Sequence, residues 1–109
     1  MFRGPRVVVP GTDRLAEGEA RKVDVGDPGA GGVQLLLCRV EGKVYAIDTV
    51  CPHEGGRLRP GPLAEGQWAV CPLHSYRFDP RNGREAAGAC GSAKTYKVRE
   101  RDGSCEIRI

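Results

Sequence analysis

Aromatic side chains are scarce in this 109-residue chain, 6% of the total, with one Trp, two Phe and three Tyr. A chain of this length is one domain, and with so few rings its core is modest. Long apolar runs are missing as well. No run exceeds four residues, as in Leu35-Leu36-Leu37-Cys38, far short of the ~20 residues that a spanning helix needs. The start, Met1-Phe2-Arg3-Gly4-Pro5, lacks the apolar core of a secretory signal. The expectation is therefore a soluble, cytoplasmic protein without membrane attachment. Charge of one sign is not concentrated anywhere. The 17 basic and 14 acidic residues are spread along the chain and leave a formal charge of +3. No Lys/Arg run reads as a nucleic-acid arm, although a weakly positive face toward an acidic protein partner stays open. No stretch shows the 3.6-residue periodicity of a helix.

Glycine and proline are abundant, at 16 and 8 residues, which favours short strands and tight turns. Arg6–Val9 reads as a first strand stopped by Pro10-Gly11. Asp13–Glu19 reads as loop and Ala20–Val25 as a second strand. Gly26–Gly32 is a breaker cluster that reads as a connection. It lacks the Lys-Ser/Thr ending and following helix of a phosphate loop. Val33–Val40 and Lys43–Asp48, joined at Glu41-Gly42, read as a hairpin that delivers the chain toward Cys51. Pro60-Gly61-Pro62 and Gly66 signal turns. Trp68–Val70 reads as a short strand, Tyr76–Asp79 leaves a loop, and Asn82-Gly83 is a hairpin-type turn. Thr95–Arg99 and Cys105–Ile109, joined at Asp102-Gly103, read as the last two strands. The sum is an all-β protein of eight to ten short strands.

Both histidines of the chain fall in two short motifs, Cys51-Pro52-His53 and Cys71-Pro72-Leu73-His74. Together they form C-x-H-x17-C-x2-H, with one thiolate and one imidazole in each half. Such a set suits a soft metal centre. Zinc also takes Cys₂His₂ sets, but the C-x-H half fits zinc-finger spacings poorly. A non-redox metal module that organises a partner remains a reading of another class. The cysteine count of five is odd, which argues against a complete disulfide framework. Cys38 and Cys105 lie in apolar strands and read as buried small hydrophobes. Cys90, in Gly88-Ala89-Cys90-Gly91-Ser92, is left without a role by the motif.

The two halves and their flanks, Cys51-Pro52-His53-Glu54-Gly55-Gly56 and Cys71-Pro72-Leu73-His74-Ser75-Tyr76-Arg77-Phe78-Asp79, resemble the cluster loops of the Rieske family, specifically its soluble ferredoxin branch. The resemblance covers roughly residues 6–109 and is strongest from Tyr45 to Gly83. It implies a [2Fe–2S] cluster held by Cys51 and Cys71 on one iron and His53 and His74 on the other. With two thiolates replaced by neutral imidazoles, the oxidised cluster loses its net negative charge and accepts an electron more readily. The implied fold is a small β-sandwich or barrel-like base with an inserted two-loop cluster-binding subdomain. This places a single domain over residues 1–109, with the cluster-binding part at about 49–92 and a third loop, around Cys90, beside the cluster.

Departures from the family pattern carry information. Gly56 and Leu73 stand where the Rieske proteins of respiratory complexes carry disulfide-forming cysteines. Tyr76 and Phe78 stand where those proteins place a Ser and a Tyr whose hydroxyls donate to cluster sulfurs. Fewer donors leave an added electron less stabilised. The implied potential is nearer about −150 mV than about +300 mV. Arg57 and Arg59 follow the first loop and read either as solvated charge or as a docking patch for an acidic redox partner.

The resemblance implies a one-electron carrier, an electron-transfer component rather than a stand-alone catalyst. It would pass electrons from a flavin-dependent reductase to a terminal oxygenase. With no histidine left for a mononuclear iron site, the chain is not expected to be the oxygenase itself. The second loop also resembles that of the small subunit of assimilatory nitrite reductase, which is the alternative setting.

Overall fold

A computed structural model describes residues 6–25, 32–51, 56–72 and 75–108. Ten strands account for the regular structure in these residues, joined by one 3-10 turn at Thr12–Arg14. The strands are β1 (Arg6–Pro10), β2 (Glu19–Val25), β3 (Val33–Val40), β4 (Lys43–Asp48), β5 (Gly61–Pro62), β6 (Ala69–Val70), β7 (Arg77–Phe78), β8 (Thr95–Tyr96), β9 (Val98–Arg101) and β10 (Ser104–Arg108). They form a three-stranded sheet β1-β10-β9, a five-stranded sheet β5-β2-β3-β4-β8 and a two-stranded ladder β6-β7. Every pairing is antiparallel. This is the all-β architecture expected from the sequence.

The apolar run in β3 is explained by its position. Strand residues point alternately to opposite faces, and β3 has a core on each side. Leu36, Cys38 and Val40 enter one cluster, which also holds Ile47, Leu58, Ala69, Phe78 and the motif residues Cys51 and Cys71. Leu35 and Leu37 enter a second cluster with Val9, Val44, Ala46, Cys105 and Ile107. The five-stranded sheet therefore faces the three-stranded sheet with one surface and the cysteine loops with the other. A strand covered on both faces reads as a continuous apolar run rather than an alternating one.

The β3–β4 hairpin has the register expected from its two-residue turn, with Val40 opposite Lys43. Glu41 and Gly42 both take left-handed backbone angles, φ 53° and 79°, as a turn matched to strand twist requires. The Glu17 carboxylate accepts the N–H groups of both residues, at 2.7 and 2.8 Å. Arg39 ties this end of the sheet to the 3-10 turn. Its guanidinium donates to the carbonyls of Leu15, Thr12 and Gly42 and reaches Glu100 of β9 at 3.5 Å.

Six expectations need correction. The first strand includes Pro10, which pairs with Ser104, and β6 begins at Ala69 rather than Trp68. The segment read as loop from Asp13 contains part of the 3-10 turn, and its last residue, Glu19, already belongs to β2. Gly61-Pro62, read as turn, is an edge strand paired with Ala20 and Glu19; a proline fits there because the outer side of an edge needs no donor. Thr95–Arg99, read as one strand, is split at Lys97. Thr95 and Tyr96 pair with β4 in the five-stranded sheet, whereas Val98 onward pairs with β10 in the other. Tyr96 and Val98 both pack against the core between the sheets, so the chain changes sheets there without leaving that core. The last strand begins at Ser104 rather than Cys105 and is described as far as Arg108. Residues 26–31 of the glycine-rich connection and Ile109 lie outside the described residues.

Candidate metal centre

Cys51 and Cys71 open two hairpin loops of the same construction. In the first, Val50 bridges to Arg57 and the Cys51 N–H donates to the Gly56 carbonyl. In the second, Val70 pairs with Arg77 and the Cys71 N–H donates to the Tyr76 carbonyl. Each loop thus runs for six residues, begins with a cysteine and is closed by a backbone bond from that cysteine to the sixth residue. The two hairpins are joined by a bond from the Arg59 N–H to the Val70 carbonyl at 2.9 Å. The first is anchored further by the Leu58 N–H on the Thr49 carbonyl at 2.7 Å.

Burial alternates along all four short segments. Thr49, Cys51, Leu58, Ala69, Cys71 and Phe78 are buried, whereas Val50, Arg57, Arg59 and Arg77 are exposed. Cys51 and Cys71 belong to one contiguous cluster with Leu58, Ala69 and Phe78. Two soft donors are thereby brought together on rigid ladders, out of water, at the base of loops that carry one histidine each. His53 and His74 themselves, with Glu54 and Leu73, lie outside the described residues. Of the four expected ligands the structure describes Cys51 and Cys71, and each histidine follows one of them in sequence.

A third segment packs beside these loops. Cys90 is half-buried and lies against the cluster that holds Cys51 and Cys71. Burial first, then the negative charge of a Cys51 thiolate and of Glu85, push the Cys90 thiol up from its ordinary value. This position agrees with the expected third loop. The device that holds it was not legible in the sequence. Glu85 directs its carboxylate inward, where Oε1 accepts the N–H groups of Ala87 and Ala89, both at 2.9 Å. Oε2 accepts the N–H of Arg77, at 3.4 Å, in the second hairpin. The Ala89 N–H is the main cause that holds Glu85 below the usual carboxylate range; burial opposes it and the other N–H groups assist.

The turn before Glu85 is equally constrained. The Gly83 N–H donates to Asp79, and its carbonyl accepts the Ala93 N–H. With φ at 81°, Gly83 takes a left-handed conformation, and an added Cβ would overlap the Ala93 carbonyl oxygen. Asp79 accepts two bonds from the Arg81 guanidinium, at 2.9 Å each, and the Arg81 N–H. Burial pushes the Asp79 carboxyl upward, but the Arg81 bonds and charge outweigh it and hold it below its ordinary value. Asn82-Gly83 signalled this turn; nothing local signalled that Glu85 would serve as its anchor.

The remaining two cysteines lie outside the loops, although Cys38 shares the packed cluster of Cys51 and Cys71. Cys38 is fully buried in β3, where burial pushes its thiol up to about 12. Cys105 is fully buried in β10 and is likewise raised, chiefly by burial. Both are packing residues, as expected.

Residues 6–97 match the model of the Rieske [2Fe-2S] domain. The chain belongs to the Rieske family. The group that defines the family is a [2Fe–2S] cluster, and the paired buried thiols fit its sulfur-ligated iron. Among relatives of this Rieske chain, the ferredoxin component of the naphthalene 1,2-dioxygenase system of Pseudomonas aeruginosa is 44% identical over 69 residues. The match takes in 62% of this chain and 65% of that one, so the chain spans just under two thirds of that relative's length. The 3-phenylpropionate/cinnamic acid dioxygenase ferredoxin subunit of Photorhabdus laumondii is 30% identical over 98 residues, 89% of this chain and 88% of that one. The ferredoxin of carbazole 1,9a-dioxygenase from Nocardioides aromaticivorans superimposes with a TM-score of 0.77 at 28% identity, covering 95% of this chain and 97% of that one. No helix among the described residues is long and apolar enough to cross a membrane.

Proposed function

We propose that this Rieske protein is a one-electron carrier that takes electrons from a flavin-dependent reductase and delivers them to a terminal oxygenase. Its [2Fe–2S] cluster would be held by Cys51, His53, Cys71 and His74. The observation that carries the reading is the matched pair of hairpins, which places Cys51 and Cys71 at equivalent positions in one buried cluster. The bound cluster supplies a one-electron acceptor. The chain supplies its setting: buried thiolates on one side, closing backbone bonds that fix where each loop points, and a third loop held by Glu85. Relatives named as ferredoxin components of dioxygenase systems support the setting. The likeness to a nitrite reductase small subunit from Mycobacterium tuberculosis, 22% identical with a TM-score of 0.69, carries the fold alone and does not favour the alternative.

The test is reconstitution. The purified protein, reduced by a flavin-dependent ferredoxin reductase with NADH, should be reoxidised by a Rieske terminal oxygenase in the presence of its aromatic substrate. A red-brown protein that cycles with neither component would overturn the proposed role. A colourless protein that binds zinc instead would overturn the cluster as well.

A further inference from the structure

The alternation of burial across the two hairpins leaves an outer face opposite to the cysteines. It carries Val50, which is 40% exposed, and the half-buried Val70. Around them stand Arg57, Arg59 and Arg77, all exposed. Arg57 and Arg77 occupy equivalent places, each the ladder partner of the valine that precedes a motif cysteine. Arg59 is brought alongside by its backbone bond to Val70. An exposed valine on a face that carries three arginines suits a meeting surface, since arginine is enriched where proteins meet.

Among the described residues, neither Arg57 nor Arg59 is ion-paired to a carboxylate, although Asp24 and Asp48 line the same cavity as Arg57. Arg57 donates to the neutral Thr49 hydroxyl at 3.1 Å. Arg77 meets Glu65 at 3.7 Å, but the side chains are 46% and 65% exposed, and such a pair holds little. The Asp48 carboxylate, at the margin, is engaged by the Val50 N–H at 3.0 Å. Glu54 lies outside the described residues.

We propose that this outer face, Val50 and Val70 rimmed by Arg57, Arg59 and Arg77, docks an acidic surface of a protein redox partner. The proposal rests on the electron-carrier reading above. Charge complementarity chooses the occupant: a face with three arginines steers an anionic partner toward the loops and raises the encounter rate at low salt. Because the face is the reverse side of the ladders that carry the cysteines, a partner seated on it lies next to both loops.

Small redox probes of opposite charge read the field directly. The reduced holoprotein is mixed with ferricyanide, which takes one electron and becomes ferrocyanide, or with the cationic tris(phenanthroline)cobalt(III), which takes one electron and becomes cobalt(II). Salt shortens the screening length from about 30 Å at 0.01 M to about 3 Å at 1 M. The ferricyanide rate should fall several-fold as salt rises, and the cobalt rate should rise. The triple variant Arg57→Gln, Arg59→Gln, Arg77→Gln should lose most of the ferricyanide rate at low salt. The charge-matched triple Arg99→Gln, Arg101→Gln, Arg108→Gln, on the three-stranded sheet, should keep it. Poly-L-glutamate, a stand-in for an acidic protein surface, should slow ferricyanide oxidation of the wild type but not of the first triple variant. Equal behaviour of the two triple variants, or indifference of the wild type to poly-L-glutamate, would overturn the docking face while leaving the carrier reading intact. A protein that accepts no electron from dithionite would overturn both.

Discussion

Cys51 and Cys71 are structural equivalents: each follows an outward-facing valine, donates its N–H to the carbonyl five residues on, and turns inward to the same core. Their equivalence bears directly on ligation. As cluster ligands, either thiolate when lost would leave an iron with an open position. We expect Cys51→Ala, Cys71→Ala, His53→Ala and His74→Ala each to yield protein without a stable cluster, whereas Cys38→Ala and Cys105→Ala keep it. Iron and acid-labile sulfide in the purified variants decide this. Both irons retained in any of the four would remove that residue from the ligand set.

Glu85 couples acidity to the order of the third loop. Its folded-state carboxyl is held below the usual range, chiefly by the Ala89 N–H. The unfolded chain, with an ordinary carboxyl near about 4.3, therefore takes up a proton at higher pH than the folded chain. The stabilisation is complete above that ordinary value and is lost as pH falls through the folded one. Glu85→Gln should lower the denaturation midpoint at neutral pH, and its deficit relative to the wild type should shrink in acid. A deficit that stays constant between neutral and acid pH would show that the charge of Glu85 is not what holds the loop.

Gly83→Ala should be among the most damaging small substitutions. The left-handed backbone and the overlap with the Ala93 carbonyl act together, at a cost of about 3 kcal/mol or more. Gly42→Ala is the comparison, because it shares the positive φ but would meet nothing within 4 Å. Urea denaturation of both variants separates steric overlap from backbone strain; similar losses would count against the overlap.

Arg39 joins the 3-10 turn, the β3–β4 turn and β9 through one guanidinium whose side chain is 16% exposed. Truncation in Arg39→Ala leaves the Thr12 and Leu15 carbonyls without this donor. The expected loss is about 2–3 kcal/mol, within the range for hydrogen bonds to charged groups. The cluster-loop spectrum of the folded variant should be unchanged. A variant as stable as the wild type would mean that water replaces these bonds without cost.

Phe78 tests the family pattern around the sulfurs. It is fully buried in the cluster that contains both motif cysteines, at the position expected, from the resemblance, to match a tyrosine of the respiratory-complex Rieske proteins. Phe78→Tyr should raise the reduction potential, since a donor stabilises the reduced and more negative centre. Protein-film voltammetry at one pH measures it. An unchanged or lowered potential in a folded, cluster-loaded variant would show that residue 78 does not address a ligand.

What could be read from the sequence was what neighbouring residues decide among themselves. The β3–β4 hairpin follows from an apolar strand, a two-residue turn and a second strand; the paired loops follow from motifs a few residues long. The all-β class follows from the same short-range patterns. Tertiary structure decided everything that depends on bonds between distant segments. Thr95–Arg101 has no internal break, yet it divides between two sheets because β4 claims Thr95 and Tyr96 and β10 claims Val98 onward. Gly61-Pro62 looks like a turn in isolation and becomes an edge strand because β2 lies beside it. Glu85 carries no local signal at all, since its role exists only once Arg77, Ala87 and Ala89 turn their N–H groups toward it. The equivalence of the two cysteine loops belongs to the same class. Residue types name the donors, but the closing bonds and the Arg59–Val70 link that set them side by side arise only when the chain has folded.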